Sequence, residues 1–279
     1  MCNTCGCNIT PGNAKLAQQQ DAHGASAVSV LENLLTANDQ TAAHNRAHFD
    51  EHGVLAVNLM SSPGAGKTAL LEATIDALKH EFHLAVIEGD LETENDAARI
   101  RQHGVSAHQI TTGSACHLDA HMVHTALHHV PLAGLDILFI ENVGNLVCPA
   151  SFDLGQHRNV VLLSVTEGDD KPAKYPVMFR AADLLLLTKT DLLPVLDDFS
   201  PERAEGFLRA LANPAPIIRL SARKNSGMDG WLDWLRTEVR SRKQQAAIRQ
   251  AQRPLARPAV TSATPLSGAP RFQRIDHSA

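Results

Sequence analysis

The side chains in this 279-residue chain that could do chemistry fall into three sets. The first is SSPGAGKT, Ser61 to Thr68, where the small residues Gly64, Ala65 and Gly66 lead into Lys67 and Thr68. Backbone N–H groups of such a loop can curl around phosphate oxygens, and the helix behind it points its positive end at the same charge. Lys67 would then reach the β- and γ-phosphates, and the Thr68 hydroxyl suits Mg²⁺, a cation that prefers oxygen. The usual GxxxxGK[ST] pattern begins with Gly where this chain has Ser61. The second set is carboxylates. Glu141 ends ILFIE with Gly144 three residues on, where a nucleotide switch usually carries DxxG, and Asp90 ends IEGD. Either acid can hold Mg²⁺ or orient an attacking water, and the Gly144 N–H can sense a γ-phosphate.

The third set is thiols and imidazoles. Cys2, Cys5 and Cys7 lie within the first seven residues. As thiolates they can wrap one soft or borderline ion, Ni²⁺ or Zn²⁺, with the terminal amine available as a fourth ligand. Cys116 and His117, expected to open a helix, and Cys148, just past the Glu141 strand, make a second group close enough to the switch to feel its nucleotide state. Three ligands leave a coordination position open, or let two subunits share the ions across a dimer axis. His121, His124, His128 and His129 follow Cys116, with His117/His121 and His124/His128 at one-face spacing, and are read as solvated.

Base selection is read from TKTD, Thr188 to Asp191. In the similar NKxD guanine reader the aspartate, here Asp191, accepts two hydrogen bonds from guanine, and the stem of the lysine, here Lys189, packs on the ring. Adenine offers no matching donor pair. Thr188 stands where Asn normally braces the loop. Ser221-Ala222-Arg223 falls where such proteins back the base.

These residues need a scaffold that presents them together. Apolar runs at Val54–Met60, Leu84–Glu88, Ile137–Glu141, Val160–Val165, Leu184–Thr188 and Ile217–Leu220 read as strands. Between them, Thr68–His80, Asn95–His103, His117–His129, Pro201–Leu211 and Met228–Arg242 read as helices. The alternation predicts an α/β fold, a mostly parallel sheet with helices on both faces, which binds ligands at its strand carboxyl ends. Three units are expected: a Cys-bearing arm over 1–25, a nucleotide-binding domain over 26–243 that starts with a helix through Val28, Leu31 and Leu35, and a proline-rich disordered tail over 244–279.

Composition limits the partners. A net charge of −5 gives no electrostatic case for nucleic acid or an anionic membrane, and no apolar run approaches the ~20 residues that span a bilayer. The start of the chain has neither the basic nor the apolar stretch of a secretory signal, so a cytoplasmic protein with reduced thiols is expected. Five cysteines do not make a closed disulfide framework, and fifteen histidines point toward metal.

Taken together, MCxxCGC, NLMSSPGAGKT, IEGDLETENDAARIR, CHLDAHM, ILFIENVGNLVCPASFDLG, SVTEGDDKPAKYP, KTDLLP and SGMDGWLDWL resemble the hydrogenase nickel-incorporation GTPase family, HypB, over essentially all of residues 54–235 and the extreme N-terminus. The resemblance implies a P-loop GTPase of the SIMIBI class with slow intrinsic turnover. It implies GTP/GDP and Mg²⁺ as ligands and a GTP-promoted homodimer. It also implies a HypA-type nickel metallochaperone and the [NiFe]-hydrogenase large-subunit precursor as partners. By the same likeness Lys67, Thr68, Asp90 and Glu141 match the phosphate and Mg²⁺ residues. Cys2, Cys5 and Cys7 match a tight nickel site, and Cys116, His117 and Cys148 a nickel or zinc site near the dimer interface. A related GTPase serving urease, and a nickel-storage protein with nucleotide as a structural ligand, are the alternatives.

Overall fold

The computed structural model describes residues 27–90, 95–113 and 115–252. The thiol head with Cys2, Cys5 and Cys7, and the tail beyond Gln252, lie outside the described residues. Seven strands form one all-parallel sheet in the order β3-β2-β4-β1-β5-β6-β7. They are β1 (Leu55–Ser61), β2 (Leu84–Asp90), β3 (Ser106–Thr111), β4 (Ile137–Glu141), β5 (Arg158–Ser164), β6 (Leu184–Thr188) and β7 (Ile217–Arg219). The helices are α1 (Ala27–His52), α2 (Lys67–Leu78), α3 (Asn95–Gln102), α4 (Ala120–Ala126), α5 (Lys171–Lys174), α6 (Pro176–Arg180), α7 (Pro201–Ala210) and α8 (Met228–Gln252). Among the described residues no helix is long and apolar enough to cross a membrane.

Alternation along the strands builds a core on each face. Leu55, Val57 and Leu59 of β1 pack with Leu71 and Ile75 of α2 and with Trp231 and Leu235 of α8. Ala56 of β1 and Leu138 and Ile140 of β4 face the other way, onto Phe49 of α1 and Val123 and Ala126 of α4. A third cluster joins Val161, Leu163, Leu185 and Leu187 of β5 and β6 to Phe179 of α6 and Leu208 of α7. Trp231 is fully buried and satisfies its indole N–H on the Thr74 hydroxyl at 2.8 Å.

Three expectations are corrected. The edge strand β3, SAHQIT, was not expected. One side of an edge strand has no partner, so β3 is half-buried, exposed at both ends, and lacks an apolar run. Cys116 and His117 do not start a helix. Asp119, extended at φ −115°, caps α4 by accepting from the Met122 N–H at 2.8 Å, so Cys116 and His117 lie in the preceding loop. Residues 244–252, expected in the tail, continue α8. Arg242 and Arg249 pair with Asp50, and Lys243 with Asp136, which anchors this part of the helix to the amino-terminal edge of the sheet.

Candidate nucleotide and metal site

The loop from Ser61 to Thr68 sits between the buried strand β1 and α2. Gly66, the residue before α2, has φ 100°, a left-handed value at which a side chain would be strained. Ser61 needs no such freedom. It is the last residue of β1, and its hydroxyl donates to the Ser62 carbonyl at 2.6 Å and accepts from Lys67 Nζ at 3.2 Å. The serine at the loop's first position is thus accommodated by extended backbone.

Glu141 ends β4 beside the loop. Its Oε1 accepts from the Thr68 hydroxyl at 3.0 Å and lies 4.0 Å from Lys67 Nζ. Strand register sets Glu88 of β2 directly beside it. Burial and the Glu141 carboxylate push the Glu88 carboxyl up to about 11, and burial also raises Glu141, against the pull of Lys67. Glu88 therefore holds a proton at neutral pH, and Lys67 works against burial to favour the charged form of Glu141. Oε2 of each acid is buried without a hydrogen-bond partner. Glu141 and the Thr68 hydroxyl, 3.0 Å apart, offer oxygen donors that fit Mg²⁺, with the protonated Glu88 beside them. Sequence reading missed Glu88, because its place depends on cross-strand pairing. Asp90 closes β2, and its carbonyl accepts from both the N–H (2.9 Å) and the hydroxyl (3.2 Å) of Thr112.

The residues expected to read the base line one cleft of about 350 Å³, where Ala65, Gly66, Lys189, Asp191, Ser221 and Ala222 meet. Thr188 braces this region as the usual Asn would. Its hydroxyl donates to the Ala65 carbonyl at 2.7 Å, and Lys189, left-handed at φ 59°, donates to the Gly64 carbonyl at 2.6 Å.

Cys116, His117 and Cys148 come together, with their ligand atoms all within 4.8 Å of one another. The two Sγ atoms are 3.1 Å apart, and His117 Nδ1 lies 3.7 Å from Cys116 Sγ. Burial holds the His117 imidazole below its ordinary pKa, and the ring stacks on Phe152 at 4.0 Å. Two sulfurs and a neutral imidazole suit nickel or zinc.

The two sites are joined by asparagines that sequence reading missed. Asn142, next to Glu141, accepts from the backbone N–H of Leu118 at 3.1 Å, and Asn145 donates to the Cys116 carbonyl at 3.2 Å. Between them, Gly144 passes so close to Pro63 of the phosphate loop that a Cβ would lie 2.9 Å from its Cα. One short segment, 141–145, therefore touches both the phosphate loop and the cysteine loop.

The sequence profile of a family described as CobW/HypB/UreG, nucleotide-binding domain, matches residues 55–219. The hydrogenase maturation factor HypB of Azotobacter chroococcum is 55% identical over 210 residues, 75% of this chain and 68% of that protein. A Helicobacter pylori protein named hydrogenase/urease maturation factor HypB is 43% identical over 212 residues, 75% of this chain and 86% of its own. The crystal structure of HypB from Helicobacter pylori in complex with nickel aligns with a TM-score of 0.70 at 43% identity, covering 73% of this chain and 95% of that one.

Proposed function

Because the chain belongs to the HypB family of hydrogenase maturation factors, we propose that it is a GTP-hydrolysing metallochaperone that delivers nickel to the large subunit of [NiFe]-hydrogenase. The observation that carries the reading is segment 141–145, whose Glu141 faces Lys67 and Thr68 while Asn142 and Asn145 hold the loop of Cys116 and His117.

The nucleotide lies over the strand carboxyl ends. Asp191 and the Lys189 stem select guanine, and Gly64, Ala65, Gly66, Lys67 and Thr68 take the phosphates. Thr68, Glu141 and Asp90 would hold Mg²⁺, which would supply positive charge to offset that of the phosphates. Lys67, freed from Ser61, stabilises charge on the γ-phosphate, and the Gly144 N–H reports its presence. Loss of the γ-phosphate relaxes 141–145 and with it the cradle of Cys116, His117 and Cys148, which holds nickel as cargo and accepts zinc as well. Turnover is on the order of 10⁻⁴ to 10⁻² s⁻¹ without a partner, as in a switch with no supplied arginine finger. The protein works in the cytoplasm as a GTP-promoted homodimer, exchanging nickel with a HypA-type chaperone and with the thiol head Cys2, Cys5 and Cys7. Delivery to a urease is the second reading, favoured by the double name of the Helicobacter pylori relative.

The test is nickel titration of a Cys2/Cys5/Cys7 triple alanine variant with GDP and with a non-hydrolysable GTP analogue. The cradle's nickel affinity should differ between the two nucleotides, and Asn142→Ala should bring the two values together. Equal affinity with both nucleotides before that substitution would overturn the coupling.

A further inference from the structure

The chain carries a second gathering of metal-ligating side chains, on the helix pair α1 and α4, away from the cysteines. His44 and His48, one turn apart on α1, bring their Nε2 atoms within 2.7 Å. His124 of α4 faces them, with its ring centroid 5.2 Å from His44 and 6.2 Å from His48. His128 stands 5.7 Å beyond His124. His48, His52, His124 and His128 line a surface cleft of about 320 Å³. The sequence suggested solvated imidazoles, but the fold brings them together from positions about eighty residues apart.

The hydrogen bonds define what these rings offer. Asn45 donates from Nδ2 to the carbonyls of Ala120 and Leu154, at 2.8 and 3.1 Å, which fixes its Oδ1 as the acceptor facing His124 Nδ1 at 3.0 Å. His124 is therefore the Nδ1–H tautomer with a lone pair on Nε2. An outer carbonyl holding one ring nitrogen so that the other can bind is how proteins orient metal-ligating histidines. Burial, then the neighbouring imidazoles of His44, His128, His48 and His121, keep His124 below its ordinary pKa and so favour its neutral form. Two imidazole nitrogens 2.7 Å apart can share at most one proton. That separation is also near the roughly 3 Å between neighbouring ligands on one ion with 2.0–2.1 Å metal–nitrogen bonds.

We propose that His44, His48 and His124, with His128 at the rim, form a binding site for a borderline first-row divalent cation, Ni²⁺ or Zn²⁺, that ties α1 to α4. None of the four donors is a carboxylate, so hard cations such as Mg²⁺ are poor occupants. His44 is exposed and His48 and His124 are half-buried, leaving the site open to solvent. The inference does not rest on nucleotide binding.

The experiment uses the full chain with Cys2, Cys5, Cys7 and Cys116 replaced by serine, so that the thiol sites no longer dominate. Equilibrium dialysis against Ni²⁺ should find one ion per chain at micromolar free metal. Zn²⁺ should compete for it and Mg²⁺ should not. His44→Ala and His48→Ala should each weaken binding more than roughly tenfold, with unchanged metal-free melting because neither ring is buried. Binding of Ni²⁺ should raise the melting temperature of the parent and leave that of His44→Ala unmoved. Absence of a bound ion in the four-serine chain, or undiminished binding in both histidine variants, would overturn the proposal.

Discussion

The two ends of the sheet treat buried polar groups in opposite ways. At the carboxyl ends of the strands, Ser62, Glu88, Glu141 and Glu167 each leave a buried side-chain oxygen without a hydrogen-bond partner. At the amino ends, side chains are spent on one another. Arg242, Arg249 and His157 gather on Asp50, Asp136 takes Lys243 and the His83 N–H, and Arg158 pairs with Glu238. An unpaired buried polar group costs about 1–3 kcal/mol. Gln109 and Arg242 also keep buried polar atoms without a hydrogen bond, yet Arg242 lies against the Asp50 carboxylate, so open carboxylate oxygens mark the working end and ion pairs the structural end.

The sharpest way to break this contrast is to neutralise one residue at each end. Glu141→Gln keeps shape and removes the buried carboxyl group facing Lys67. GTP hydrolysis should fall about 10²–10³-fold, while the nucleotide-free protein loses little stability, because Lys67 Nζ lies as far as 4.0 Å from Glu141, keeps its 3.2 Å bond to Ser61, and the change relieves the crowding of Glu141 against Glu88. Asp50→Ala should do the reverse. Stranding Arg242, which is 7% exposed, beside Arg249 and His157 should cost about 3 kcal/mol in denaturant unfolding and leave turnover unchanged. A Glu141→Gln protein as unstable as Asp50→Ala would erase the distinction.

Acid should expose the structural end on its own. His157 Nδ1 accepts from the Ala56 N–H at 3.0 Å, and protonation would break that bond. Burial, with Arg46, Arg158 and Arg249 nearby, holds the ring down to about 4, from an ordinary 6.5. The unfolded chain takes up its proton near 6.5 and the folded chain only near 4. The contribution is thus complete above pH 6.5 and drains away as pH falls toward 4, by about 3 kcal/mol. Denaturant midpoints across that range should slope less steeply in His157→Gln than in the parent. Equal slopes would remove His157 as the cause.

What the sequence revealed follows the same division. The phosphate loop, Glu141, Thr188–Asp191 and Ser221-Ala222 were legible because each is a contiguous motif at the end of an apolar run, and β4 and β6 appear with the expected bounds. What stayed hidden depends on contacts distant in sequence. Glu88 matters through register with Glu141, Asn142 through Leu118, and His124 through Asn45. The extension of α8 past Arg242 is secured by Asp50 and Asp136, and no local pattern in a polar helix announces such partners.

Thr188 gives the smallest and most discriminating case, because it lies at the working end yet is fully engaged. It is 4% exposed, and its hydroxyl donates to the Ala65 carbonyl, tying β6 to the phosphate loop. If polar groups at this end are left open only where a ligand binds, then Thr188 belongs to the scaffold. Thr188→Val, equal in shape, should cost about 1 kcal/mol by leaving the Ala65 carbonyl unpaired. For a domain of this size that is a fall in melting temperature of about 2–4 °C. GDP affinity should drop only several-fold, since the loop loses a brace and no ligand contact. Thr188→Asn, whose side chain can reach the same carbonyl, should recover most of both losses. A Thr188→Val protein that melts normally but no longer binds GDP would place the hydroxyl on the ligand and move the boundary between the two ends into β6.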